Sequence, residues 1–333
     1  MSYLEQRLGL RGKAAVIVGG GGGLGRAIAY ELAAAGVDLA LCDHDDERLQ
    51  ETVAQIKAGG GQAVAIVGDA RTSEALMRTF AASSGRYGRL DILANVVGGT
   101  FRQAFVQSND RGWQTLVQTN FLWLLESTQR AVEQMTPTAA TAGASIINVT
   151  SIEAHRAAPN FAVYAAMKAA VTSLTRSLAL EFAPLGIRVN TIAPDVVPTE
   201  GMAGISRARG AELPLADTPR GRLAARVGVP MARAGRYEDV GGCALFLASD
   251  LARFVTGTSL HPDGGALASS GWFNWPDAGY ANFPPAGALR GYLESEAVAA
   301  PYPHDQGGPD LATSEAMAQQ EMARHIISEP EGA

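Results

Sequence analysis

The chain holds only two cysteines, Cys42 and Cys243, in 333 residues. Two are too few for a disulfide framework or a zinc site. Both lie in apolar stretches, where a free thiol packs as a small hydrophobe. No metal is expected. Basic residues are also in short supply: 27 Lys and Arg stand against 33 Asp and Glu, a formal net charge of -6. That is the wrong sign for a surface that must neutralise phosphates, so nucleic acid is not an expected partner. No apolar run is long enough to span a bilayer, and the opening Met1-Ser2-Tyr3-Leu4-Glu5-Gln6-Arg7 lacks the apolar core of a signal peptide. Together these absences predict a cytoplasmic protein with no membrane partner.

Apolar residues and glycine are abundant. Hydrophobic residues make up 47% of the chain, and there are 38 glycines, which suits a large core with tight turns and close helix–sheet packing. Short β-branched runs over 14–18, 38–42, 63–67, 90–95, 145–150, 188–192 and 258–261 alternate with helical patterns over 24–35, 46–58, 73–87, 110–135, 160–182 and 237–248. This alternation predicts an α/β protein with a single doubly wound domain and a seven-stranded parallel sheet covered on both faces. Several strands are apolar throughout, as doubly covered strands are. The stretch from Pro198 to Pro230, rich in Gly, Pro and Arg, reads as an excursion with short helices.

Four local features carry chemistry. Val16-Ile17-Val18 leads into a run of five glycines, Gly19 to Gly23, closed by Leu24 and Gly25. A strand-to-helix turn of this composition lets the backbone approach a pyrophosphate, which the first N–H groups of the helix can then bind. Tyr164 and Lys168 are four apart in a helical pattern and so share one face. A cation beside a phenol stabilises the phenolate, and such a tyrosine can exchange a proton with an alcohol or ketone. Ser151 closes a strand-like run thirteen residues before Tyr164, and Asn120 lies between the glycine run and Ser151.

In this order and at this spacing the features resemble the short-chain dehydrogenase/reductase family, in its main short form, over about residues 8–265. The resemblance implies a catalytic set of Asn120, Ser151, Tyr164 and Lys168. In it Tyr164 is the general acid/base, and Lys168 lowers its pKa and holds the nicotinamide ribose. Ser151 holds the substrate oxygen, and Asn120 orders a water leading from Lys168 to solvent. It further implies dinucleotide contacts at Gly19, Gly23, Leu24, Gly25, Asp43, Asp69, Ala70, Asn95 and Gly98, and at Pro194, Val197 and Thr199. Asp43 ends the second strand, where a carboxylate accepts from both ribose hydroxyls and repels the extra phosphate of NADP. NAD is therefore the expected cofactor. The clustered Asp43, Asp45 and Asp46 also offer helix caps, and Asp69 also suits a turn. Val18, Val96, Val97 and Asp195 depart from the family pattern, Asp195 replacing a glycine, while Gly98-Gly99-Thr100 is similar to members that oxidise ring cis-diols.

The substrate wall should come from the segment between Ser151 and Tyr164. There Glu153 and His155 either contact a polar group of the substrate or form a structural set with Arg156. Asp195 either lies near the substrate or is a solvated loop acid, and Phe161 packs against substrate or lid. The activity implied is NAD-dependent interconversion of a secondary alcohol and a ketone, on a bulky cyclic or apolar substrate such as a ring cis-diol or hydroxysteroid. The alternatives are an NADPH-dependent ketone or 3-oxoacyl reductase, and a non-catalytic nucleotide sensor or scaffold of the same fold. A homo-oligomer, tetramer or dimer, is also implied. Residues 266–333 exceed the family pattern. Their aromatics, Trp272, Phe273, Trp275, Tyr280, Phe283, Tyr292 and Tyr302, predict a segment docked on the same or a neighbouring subunit, with a short helix over 314–327.

Overall fold

The computed structural model describes residues 2–199, 217–276 and 278–285, the side chains of 136–142 aside. Its centre is a seven-stranded parallel sheet in the order β3-β2-β1-β4-β5-β6-β7. The strands are β1 (Ala14–Val18), β2 (Asp38–Asp43), β3 (Ala63–Val67), β4 (Ile92–Asn95), β5 (Ala144–Val149), β6 (Ile187–Ile192) and β7 (Ser259–Leu260). The order reverses between β1 and β4, which opens a crevice above their carboxyl ends.

All five residues of β1 are buried, because the sheet is covered on both faces. Ala15 and Ile17 point into one core with Ile28, Leu32, Leu49, Val53, Val240 and Leu247. These come from α2 (Gly23–Ala34), α3 (Asp46–Ala58) and a late helix, α9 (Tyr237–Ala248). Val16 and Val18 point into the other core with Leu76, Phe80, Trp123, Leu124, Met135 and Val171. Those belong to α4 (Ser73–Tyr87), α6 (Trp123–Ala142) and α7 (Ala162–Phe182). No helix among the described residues is long and apolar enough to cross a membrane.

Three departures from the sequence expectations have local causes. A first helix, α1 (Tyr3–Leu8), is set by a capping box between Ser2 and Glu5. The helix expected from residue 160 begins at Ala162, because Asn160 takes a φ of 68°, a left-handed conformation that asparagine tolerates better than most residues. The helix expected as one piece over 110–135 is broken. It comprises α5 (Asp110–Val117), a π turn over Gln118–Leu122, and α6.

The excursion expected over 198–230 is described at 198–199 and 217–230, where α8 (Pro219–Gly228) starts on a Thr218 cap with proline in its first turn. After the sheet, β8 (Phe273–Trp275) and β9 (Gly279–Ala281) pair antiparallel, and β8 packs against α8. Tyr292, Tyr302 and the helix expected over 314–327 lie outside the described residues.

Candidate active site

The glycine loop leaves β1 and enters α2 above the crevice. Gly19 and Gly23 take φ of 96° and 51°, in the region that disfavours any side chain. A Cβ on Gly25 would lie 1.8 Å from the carbonyl oxygen of Gly19, so the loop closes on α2 only because that position is bare. The N-cap is Gly22, which has no side chain to satisfy the first N–H groups of α2. These bare, directed N–H groups fit a pyrophosphate. Leu24 packs at the edge of the first core.

Asp43 braces the same loop. Its Oδ2 accepts from Gly21 N–H at 2.9 Å, and its Oδ1 accepts from Asp45 N–H at 3.1 Å. Asp45, not Asp43, caps α3 by accepting from Arg48 N–H. Arg26, one residue past the glycine loop, donates to the Gly21 carbonyl and pairs with Glu51 at 3.1 Å. Asp69 is held by Arg71 at 2.6 Å, which keeps its carboxyl below the usual range, and Ala70 beside it is buried.

Asn95 faces inward. Its Oδ1 accepts from Ser127 at 2.8 Å, and its Nδ2 donates to Asn148 Oδ1 at 2.9 Å. Asn148 Nδ2 in turn donates to Thr175 at 2.9 Å. This buried chain runs from α6 through the Asn95–Asn148 rung of β4 and β5 to α7, and so fixes α7 against the sheet. Its side chain contacts protein rather than the crevice.

Helix α7 presents Tyr164 and, one turn on, Lys168, whose Nζ lies 5.8 Å from the Tyr164 ring centroid. Lys168 is buried and donates to the carbonyl of Val149 at 3.1 Å. Burial pushes its ammonium down to about 8. Burial pushes the Tyr164 phenol up, opposed by the neighbouring Ser151 hydroxyl and assisted by the Glu153 carboxylate. Burial sets this direction, while Lys168 is turned to the backbone carbonyl of Val149.

Asn120 sits in the π turn. Its Nδ2 donates to the carbonyls of Leu116 at 3.0 Å and Gly99 at 2.8 Å, and its Oδ1 accepts from Gly99 N–H at 3.1 Å. A Cβ on Gly98 would lie 2.8 Å from Lys168 Nζ and 3.1 Å from Asn120 Oδ1. Gly98 is thus the spacer that lets these two side chains converge.

Ser151, two residues past the end of β5, is extended and accepts from Glu153 N–H at 3.2 Å. Ile152 N–H donates to the carbonyl of Pro194 at 3.0 Å, which ties the segment after Ser151 to the loop after β6. That loop buries Val197 and brings Thr199 within 3.5 Å of where a Cβ on Gly23 would be. The loop therefore links the glycine turn to the neighbourhood of Ser151.

Glu153 and Asp195 converge on Arg156 at 2.9 and 3.3 Å. His155 packs edge-on against His261 at 4.6 Å, and Phe161 precedes α7, half-buried. Of the two readings open for Glu153, the ion pair with Arg156 is present. The structure adds His261, Arg71 and Arg26, which the sequence reading passed over. Only Arg71 and Arg26 carried a local signal, two residues from Asp69 and one past Gly25 respectively.

The site can bind a dinucleotide phosphate at a helix terminus and hold a protonated phenol beside a serine hydroxyl. Such a pair can exchange a proton with an alcohol or carbonyl oxygen. Residues 19–266 match the sequence family described as enoyl-(acyl carrier protein) reductase. A 3beta-hydroxysteroid dehydrogenase of Eggerthella lenta is 35% identical over 264 residues, covering 79% of this chain and 97% of the relative. A 2,5-dichloro-2,5-cyclohexadiene-1,4-diol dehydrogenase of Sphingobium indicum is 33% identical, covering 77% and 96%. Among solved structures, a gluconate 5-dehydrogenase from Burkholderia cenocepacia in complex with NADP and tartrate superposes with a TM-score of 0.70 at 28% identity, covering 80% of this chain and 99% of that one.

Proposed function

The chain belongs to the short-chain dehydrogenase/reductase family of nicotinamide-dependent oxidoreductases acting on alcohols and ketones, and from that premise we propose that it oxidises a cyclic secondary alcohol with NAD. The observation that carries the reading is the convergence of Ser151, Tyr164, Lys168 and Asn120 near the carboxyl end of β5. The dinucleotide, when bound, supplies the hydride acceptor. Gly19, Gly23, Leu24 and Gly25 hold its pyrophosphate, Asp43 its adenosine ribose, and Lys168 its nicotinamide ribose. Ser151 orients the substrate oxygen, and Tyr164 takes the hydroxyl proton in oxidation or returns it in reduction. Lys168 keeps positive charge beneath that proton transfer, and Asn120, which converges with it beside Gly98, orders the water that leads from it to solvent.

Asp43 supports NAD over NADP. Its carboxylate braces the loop at the point an added phosphate would approach, and Arg26 is already neutralised by Glu51. The NADP bound to the Burkholderia structural relative keeps an NADPH-dependent reductase as the second reading. The hydroxysteroid and cyclohexadiene-diol activities of the two sequence relatives favour a ring alcohol as substrate. The exposed Leu122 and Leu125, at the π turn and the start of α6, support a homo-oligomer.

The test is NADH formation across cyclic secondary alcohols, cis-dihydrodiols and hydroxysteroids, with NADP in parallel and Tyr164→Phe as control. Turnover with NAD, lost in the Tyr164 variant, is expected. Turnover with NADP alone would overturn the cofactor assignment, and turnover retained by Tyr164→Phe would overturn the assigned proton path.

A further inference from the structure

Beside the Glu153–Arg156–Asp195 cluster the described residues enclose a cavity of about 330 Å³, the size range of a small-ligand pocket. Its wall includes Asp195, Val229, Met231, Arg233, His261 and Asp263. Asp195 follows Pro194, whose carbonyl takes the N–H of Ile152, the residue after Ser151. Asp195 thus ties one wall of the cavity to the segment that follows Ser151. Val229 and Met231, just past α8, give it an apolar side.

The polar side is unbalanced. Arg233 is matched by Asp239, with contacts of 2.6 and 2.9 Å. Arg156 is shared between Glu153 and Asp195. Asp263 turns both carboxylate oxygens to backbone N–H groups, those of Gly265 and Leu267, each at 2.8 Å. The wall itself thus holds three carboxylates, Asp195, Asp239 and Asp263, against one guanidinium, Arg233, and Asp195 is further paired with Arg156. His261 adds a ring nitrogen, Nε2, that is buried with no hydrogen-bond partner among the described residues. A buried unpaired nitrogen in a cavity wall is costly unless a ligand group meets it.

Resting on the reading of the previous subsection, we infer that this cavity is the subsite for the end of the substrate remote from the reacting carbon. It takes an uncharged or cationic hydrogen-bond donor, a hydroxyl or an ammonium, and excludes a carboxylate. Asp195, which stands where the family has glycine, is its specificity-determining residue. Burial holds the Asp195 carboxyl above its usual range, with Arg156 opposing, so it is poorly solvated and gains from a donor brought by a ligand. Arg156 does not serve as an anion anchor, because two carboxylates already occupy it.

Three ring alcohols of one skeleton test this: trans-4-aminocyclohexanol, cyclohexane-1,4-diol and 4-hydroxycyclohexanecarboxylate. Each is titrated calorimetrically into the protein with NAD present, and NADH formation is followed separately, with cyclohexanol as reference. The amine and the diol are expected to bind at least about tenfold more tightly than the carboxylate. Asp195→Asn and Asp195→Gly should each collapse the preference of amine over carboxylate. Equal or tighter binding of the carboxylate, an unchanged preference in both variants, or no binding of any of the three would overturn the inference. Discrimination in binding without NADH from any compound, cyclohexanol included, would leave the subsite standing and remove the redox reading instead.

Discussion

Lys168 shows how a single residue can be set against the stability of its own fold. Its ammonium is buried with a backbone carbonyl as partner, and burial lowers its pKa from 10.5 to about 8. Below about pH 8 the folded protein therefore carries the full cost of a desolvated cation, about 3 kcal/mol for a shift of this size. Between pH 8 and 10.5 the unfolded chain binds the proton that the folded chain has released, so stability rises with pH through that window. Lys168→Met is expected to be more stable at pH 7 and inactive. In urea titrations from pH 7 to 10 it should lose the rise seen in the parent, and an identical rise in both proteins would refute the account. The raised phenol pKa of Tyr164 sets a matching kinetic sign. Ketone reduction needs the protonated phenol and should hold as pH climbs past 8, while alcohol oxidation, which needs the phenolate, should still be rising there. Paired pH profiles in the two directions check this. The Tyr164–Lys168 spacing and the Ser151 position were legible in the sequence because they are local repeats and strand ends. The joint claim of Glu153 and Asp195 on Arg156 was not, because Asp195 lies 39 residues beyond Arg156 and meets it only through loop closure.

The element that escaped the sequence reading most clearly is the π turn, and its trace was present. From Leu116 to Met135 the buried positions recur through Asn120, Trp123 and Leu124, Ser127 and Thr128, and Ala131. That is nineteen residues for five turns, where an α-helix would use eighteen. The extra residue is absorbed at Gln118–Leu122, and the distortion lets Asn120 bond the carbonyl of Leu116 by its side chain. Read as a period of 3.6, the stretch looked like one helix, since a one-residue slip over five turns hides in the width of an apolar face. Asn120→Ala should leave the carbonyls of Leu116 and Gly99 without their side-chain donor. A loss of about 1–3 kcal/mol in chemical denaturation is expected, together with a fall in kcat larger than any change in KM. The glycine turn offers a sharper test. Gly25→Ala forces a Cβ against Gly19 and should abolish dinucleotide binding in a fluorescence titration. Retained affinity would mean that the loop has another conformation available.

At the scale of the whole molecule, the alternation of strands and helices was enough to read the doubly wound sheet, because each buried strand betrays itself by continuous apolar composition. The end of the described chain had no such rule to follow. Its aromatic residues predicted docking, and β8 does meet α8 within the same chain, but Trp272, Phe273, Tyr280 and Phe283 stay exposed. Removing residues 270–333 should expose α8, lower the thermal midpoint and raise KM for a ring alcohol while leaving dinucleotide affinity intact. Unchanged midpoint and KM would show the hairpin to be a passenger. The same contact also makes the protein its own optical gauge. The indole nitrogen of Trp275 is buried without a hydrogen-bond partner among the described residues, on the strand that touches α8. Any ligand that draws α8 away would wet that ring and move its emission to the red. A stopped-flow trace of the native tryptophan signal, with Trp275→Phe as the dark reference, would then time the entry of substrate without an attached label.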